Sequence, residues 1–362
     1  MARPPRATAR LRLPPRSPQL LSPDRIGEEA RRAAAQILVE GSSAHTRRSY
    51  ASALRYWCAW HQARYRQPLK LPVPVAAVVQ FLVDHAVRLD GGRLASELPH
   101  AIDEALVASG FKGAVGPLKM ATIQHRLAVL SKLHQLRRCP NPCADAGVRE
   151  LLSHARRGAA KRGEVPRQKK AATREPMEAM LATCDDSLVG LRDRAILLLA
   201  WSSGGRRRSE VAACSAEHLV RVDSASYLYR MGASKTNANA ANPAVLRDKP
   251  VAGRAAQAVS AWLEAAGIAE GPVFRRIWRR RVGPALSAEA ISDVVKRRAR
   301  WAGIEGDWAG HSLRSGFITE AARSQIPLGD VMSMSEHRQV QTVLRYYRAG
   351  ELLRSNAANL LG

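Results

Sequence analysis

Apolar side chains recur at helical spacing through the first half of the chain. Tyr50, Ala53, Leu54 and Trp57 stand at i, i+3, i+4 and i+7 behind the hydroxyls of Ser42 and Ser43, which predicts an amphipathic helix with a polar N-terminal cap. Pro72 and Pro74 break that pattern, and Pro74 suits the first turn of a second helix burying Val78, Phe81 and Leu82. Ile123, Leu127, Leu130 and Leu133 mark a third helix, and Val148, Leu151 and Leu152 a fourth or fifth short one. Residues from about 40 to 158 therefore read as a small all-helical domain.

The period changes in the second half. Leu219 to Val222 and Tyr227 to Met231 predict strands on either side of the turn-forming set Asp223-Ser224-Ala225-Ser226, with Ala244 to Leu246 as a third strand. Helical patterns resume over Ala255 to Ala265, Ser287 to Trp301 and Gly316 to Arg323. The predicted fold class is thus mostly α with a small antiparallel β-sheet. Between the halves, Arg156 to Lys170 holds seven Lys or Arg and one acid, interrupted by Gly158, Gly163 and Pro166, the makings of a flexible basic linker, either plainly solvated or crossing a phosphate backbone. The expected division is a basic arm and lead-in over 1–39, a helical domain over 40–158, a linker over 159–172 and a mixed domain over 173–362.

Charge narrows the class of partner. The chain of 362 residues carries 57 Lys plus Arg against 31 Asp plus Glu, a net charge of +26 that calls for a polyanion. An anionic membrane surface would satisfy the same charge, so the location of the charge has to decide; the longest strongly apolar run, Ala195 to Trp201, is far below the roughly 20 residues that span a bilayer and argues only against a membrane-crossing helix. Arg3, Arg6, Arg10, Arg12 and Arg16 lie among six prolines with no apolar h-region, so the opening segment reads as a basic arm and not as a secretory signal. Five scattered cysteines make no disulfide framework, and Cys139 and Cys143 lack a second ligand pair at zinc spacing, so no metal is expected. A reducing compartment such as the cytoplasm follows as the expectation.

Four short segments of the second half carry candidate chemistry. Gly205-Arg206-Arg207-Arg208-Ser209-Glu210-Val211 follows an apolar helix, and Ala233-Ser234-Lys235-Thr236-Asn237 follows the strand ending near Met231. His311-Ser312-Leu313-Arg314 puts two groups on one helical face, and His337 is followed nine residues later by Tyr346, with Tyr347 beside it. In this order they resemble the G-x-R-x-S-E-[LV], S-K-T, H-x-x-R and G-H-x6-8-Y boxes of the tyrosine recombinases, the phage integrase type of site-specific DNA recombinase. Of three adjacent arginines, the Arg-x-x-Glu spacing to Glu210 selects Arg207. Glu336 replaces the glycine usual in the last box, and the nine-residue spacing favours Tyr346 over Tyr347.

That resemblance implies a helical, SAM-like core-binding domain followed by an α+β catalytic domain, the two clamping duplex DNA, and monomers that form a tetramer on paired specific sites. It implies a catalytic set of Arg207, Lys235, His311, Arg314, His337 and Tyr346 supported by Glu210, with no cofactor and no metal. Arg275, Arg276, Arg279 and Arg280, with Arg297 and the linker residues Lys169 and Lys170, would contact phosphates.

The residue types suit the reaction. A pentacoordinate phosphorus carries extra negative charge on its nonbridging oxygens, which the planar, permanently charged forks of Arg207 and Arg314 can neutralise and two histidines can supplement. A phenol with an ordinary pKa of about 10 needs that cationic surround to become a nucleophile. Lys235 can protonate the strongly basic 5′ oxygen as it leaves. Two rivals share parts of this set: a type IB topoisomerase, and a catalytically silent DNA-binding protein of the same fold. The two-domain layout and the S-K-T and H-x-x-R boxes favour recombination over the first, and a binder has no need of the tyrosine.

Overall fold

The computed structural model describes residues 43–164, 169–231, 248–279 and 281–351, the last five as backbone only, with a few isolated positions before residue 43. The chain divides into two compact units, residues 1–166 and 167–362.

The first unit is built on helices α1 (Ala44–Tyr65), α2 (Val75–His85), α3 (His100–Ala108), α4 (Met120–Arg137) and α5 (Ala146–Lys161), with a short hairpin of β1 (Arg88–Asp90) and β2 (Arg93–Ala95) after α2. Ser43 caps α1, its side chain accepting from Thr46 N at 3.1 Å. The buried face of α1 is Ala53, Tyr56, Trp57 and Trp60, whereas Tyr50, expected on that face, is exposed. The aromatic anchors lie one turn further along, where Phe81 of α2 stacks on Trp57 at 3.9 Å and meets Trp60 edge-on at 5.1 Å. Two buried polar groups here find partners, as the low-dielectric interior favours. Trp60 donates to Asp84 at 2.9 Å, and His134 Nε2 accepts from Val73 N at 3.0 Å.

Helix α5 runs to Lys161, past the expected domain end at 158. Residues at the other end of the expected linker are tied to the second unit: Lys170 N donates to Asp307 O at 3.1 Å and Ala172 N to Ser312 O at 2.9 Å.

The second unit begins with α6 (Arg174–Ala182) and the apolar helix α7 (Leu188–Ser202), followed by α8 (Arg208–Ala212). A three-stranded antiparallel sheet follows, β3 (Leu219–Asp223), β4 (Ser226–Tyr229) and β5 (Lys249–Ala252), in that spatial order. The predicted turn is confirmed in detail, with Asp223 Oδ1 accepting from Ala225 N and Oδ2 from Ser226 Oγ, both at 2.7 Å. The third strand lies at Lys249–Ala252; the expected one, Ala244 to Leu246, falls outside the described residues. Helix α9 (Arg254–Ala266) packs on α7, burying Val259 and Trp262.

Two strands that the sequence pattern does not predict, β6 (Arg275–Trp278) and β7 (Arg281–Ala285), pair antiparallel. Helices α10 (Ala288–Trp301), α11 (Gly310–Arg323), α12 (Leu328–Ser335) and α13 (Val340–Glu351) complete the unit. Helix α11 starts six residues before the expected Gly316, because that glycine is a packing site inside the helix and not its beginning. A Cβ on Gly316 would stand 2.0 Å from Ala172 O, so only glycine lets the two backbones approach.

Candidate active site

The site is assembled from the loop before α8, the first turns of α11, the end of α12 and the middle of α13. Gly204 and Gly205 have φ of +96° and +68°, conformations that L side chains rarely adopt. A Cβ on Gly205 would lie 2.5 Å from Arg314 Cα, so this turn sits directly against α11. Arg207 follows as the N-cap of α8. Its Nη1 donates to Glu210 Oε1 at 2.6 Å, and its backbone N donates to Glu210 Oε2 at 3.0 Å, so one carboxylate orients both the main chain and the side chain of the arginine. The Arg207 side chain remains 28% exposed, which leaves donors free for a ligand.

Arg314 is the buried partner, 4% exposed on α11. Its Nη1 donates to Gly205 O at 2.9 Å and its Nη2 to Ser335 O at 2.5 Å. Burial, with Arg207 and Arg206 close by, pushes its pKa down to about 10, which still leaves it charged at neutral pH. The same Nη2 stands 3.1 Å from His337 Nδ1, and Ser335 Oγ lies 2.8 Å from that nitrogen.

Both histidines are held neutral. Burial pushes His337 down to about 4, with Arg314 and Arg207 adding to the effect. His311 is lowered by burial, then by Arg314 and Arg207. Opposite it, Tyr346 Oη is 3.0 Å from His311 Nε2. Tyr346 reaches that point from α13, packed against the cluster of Ile318, Ala321, Val331 and Val343. A neutral imidazole carrying its proton on Nδ1 can accept the phenolic hydrogen at Nε2.

Five of the six predicted catalytic side chains thus converge: Arg207, His311, Arg314, His337 and Tyr346. Lys235 lies outside the described residues, as do Arg280 and the apolar tail at Leu352, Leu353, Ala357, Leu360 and Leu361. The residues expected to touch phosphates separate into two groups. Arg276 and Arg279 are exposed on β6 and its turn. Arg275 instead donates to Pro272 O and Glu270 O, at 2.8 and 2.7 Å, and Lys169 pairs with Asp307. Arg297 is directed at the fully buried Asp193, 2.6 Å away, which also binds Arg298 at 2.8 Å. Lys170 lays its stem over Gly306. Sequence reasoning missed Ser335, two residues before His337, whose hydroxyl fixes the imidazole; only its proximity in sequence hinted at that role.

Comparison with known proteins agrees with this architecture. Residues 170–351 match the Phage integrase family, and the chain belongs to that family, the tyrosine recombinases. An integrase/recombinase XerD homolog from Selenomonas ruminantium is 27% identical over 330 residues, covering 89% of this chain and 86% of its own. The recombinase Cre of Escherichia phage P1 is 24% identical over 249 residues, covering 64% of this chain and 71% of its own. Among solved structures, the Tn1549 transposon integrase in complex with transposon right end DNA shares the fold with a TM-score of 0.55 at 14% identity, over 91% of this chain and 98% of that one. Family membership supports site-specific DNA recombination and DNA binding as the activity. No helix among the described residues is long and apolar enough to cross a membrane.

Proposed function

We propose that the chain cleaves and rejoins specific DNA sites through a covalent 3′-phosphotyrosine on Tyr346. The observation that carries this reading is the 3.0 Å approach of Tyr346 Oη to His311 Nε2 beside two arginines. With His311 neutral, its Nε2 accepts the phenolic proton as Oη bonds to phosphorus. The P–O5′ bond breaks, and Lys235 supplies the proton that the departing 5′ oxygen requires. Arg207 and Arg314 neutralise the charge that grows on the nonbridging oxygens, where loss of a single preorganised donor costs about 10²- to 10³-fold in rate. The phosphotyrosine conserves the phosphodiester's energy, so the 5′ hydroxyl of another strand can displace Oη without ATP or metal. Two paired sites exchanged in this way call for a tetramer on DNA.

A nicked suicide substrate tests the assignment. The wild type and Tyr347→Phe should form a denaturant-resistant, protease-sensitive protein–DNA adduct, and Tyr346→Phe, which loses one oxygen and keeps the ring, should form none while still binding DNA. An adduct that persists in Tyr346→Phe and vanishes in Tyr347→Phe would move the nucleophile by one residue. Cleavage abolished by a chelator, with no adduct at any stage, would overturn the mechanism.

A further inference from the structure

The last carbonyls of a helix have no partner within it and carry the negative end of the helix dipole. At the end of α12 three consecutive ones are each taken by a different buried cation. Lys249 Nζ donates to Ser333 O at 2.9 Å, Arg206 Nη2 donates to Met334 O, and Arg314 Nη2 donates to Ser335 O at 2.5 Å. Lys249 and Arg206 are 5% and 1% exposed, and neither faces solvent as a DNA contact would. A Cβ on Gly204 would stand 2.2 Å from Met334 O, so the loop preceding Arg206 is pressed against the same helix end.

The next residue, Glu336, has φ +56° and ψ +37°, the left-handed conformation that costs a side-chain-bearing residue about 1 kcal/mol or more and that glycine adopts freely. Its carboxylate is nearly buried, with Oε1 3.8 Å from Lys249 Nζ and Oε2 without a hydrogen-bond partner. An anion buried in this way is held by the cations around it. The residue that follows is His337. Glu210 links the cap to the site by bonding Arg207 at 2.6 Å through Oε1 and facing Arg206 at 3.8 Å through Oε2.

We infer that Arg206, Lys249 and Glu336 are positioning residues, a buried ionic lock on the end of α12 that holds the left-handed turn at Glu336 and thereby sets His337 against Arg314. Where glycine would adopt this turn by its own freedom, this chain holds it with an ion pair to Lys249. The consequence for recombination rests on the phosphotyrosine reading; the effect on His337 does not.

The test compares Lys249→Met, Arg206→Met and the isosteric Glu336→Gln in the full chain. Single-turnover cleavage should fall about tenfold in each, with DNA affinity within about twofold of wild type, by analogy with other changes that displace a catalytic group without removing it. In the DNA-free protein, the His337 imidazole titration followed by NMR should move up from its depressed value toward 6.5 as the ring loosens. Lys249→Met combined with Glu336→Gly should recover most of the rate, because glycine needs no lock. In a His337→Ala background the three substitutions should add little further loss. An unchanged His337 titration together with wild-type cleavage, or full additivity with His337→Ala, would overturn the inference. If the wild type forms no adduct at all, the phosphotyrosine reading falls, and the titration still judges the lock.

Discussion

His337 shows how the fold prepares a single side chain. Its unfolded imidazole titrates near 6.5, whereas in the folded chain burial and two neighbouring arginines push it down to about 4. The unfolded state therefore binds more protons than the native state between those values. By linkage, the stability this residue contributes is fully present above about pH 6.5, shrinks as pH falls through the window, and is gone below about pH 4. His85, pushed down to about 3 by burial in the first unit, acts in the same direction. His337→Gln should consequently lose less stability than the wild type when urea denaturation is moved from pH 7 to pH 4.5, with the His85 contribution common to both proteins. An identical acid loss would show that His337 is not held neutral. The same field serves chemistry, since two neutral imidazoles among arginines leave Tyr346 facing a proton acceptor at 3.0 Å.

At the scale of the element, α11 carries two of the site residues and is located by a glycine. Gly316 lies against the backbone of Ala172, whose carbonyl also accepts from Trp201 Nε1 at 2.8 Å and so cannot easily retreat. Gly316→Ala should destabilise the chain by about 1–3 kcal/mol, the usual cost of overpacking a closed contact, and should lower adduct formation because His311 and Arg314 move with the helix. Gly329, in the first turn of α12, provides the opposite case, for nothing lies within 4 Å of the Cβ it lacks. Gly329→Ala should raise stability by about 0.4–1 kcal/mol through the lower entropy of the unfolded chain. Chemical denaturation of the two variants measures both signs. A neutral Gly316→Ala would mean that α11 can slide on residue 172.

Over the whole molecule the dominant quantity is the charge of +26. A DNA duplex releases condensed counterions when cationic side chains neutralise its phosphates, at about 0.9 per phosphate. If one monomer covers about six to ten phosphates, log affinity plotted against log salt should fall with a slope of roughly −5 to −9. A slope shallower than about −2 in a fluorescence anisotropy titration would rule out such coverage. Arg276 and Arg279, exposed on β6 and directly after it, are better placed for this role than Arg275, Arg297 and Lys169, whose cationic groups already have protein partners.

What the sequence determined by itself was local. Helical periodicity found α1, α2, α4, α5, α9 and α10, because the repeat of buried positions depends only on neighbours three and four apart. The turn at Asp223 and the cap at Ser43 were legible for the same reason, and the resemblance of four short segments to the tyrosine recombinase boxes pointed to Arg207, His311, Arg314, His337 and Tyr346. The tertiary structure decided whatever depends on a partner distant in the chain. It turned Arg206 inward to a carbonyl of α12 while leaving Arg207 partly exposed, although the two are adjacent. It drew Arg297 to Asp193, which no local pattern places beside it, and it made Gly316 an interior helix residue because Ala172 passes against it. Burial, pairing and close backbone approach are properties of the packed chain, so a basic residue's spacing announces its charge but not the group that will neutralise it.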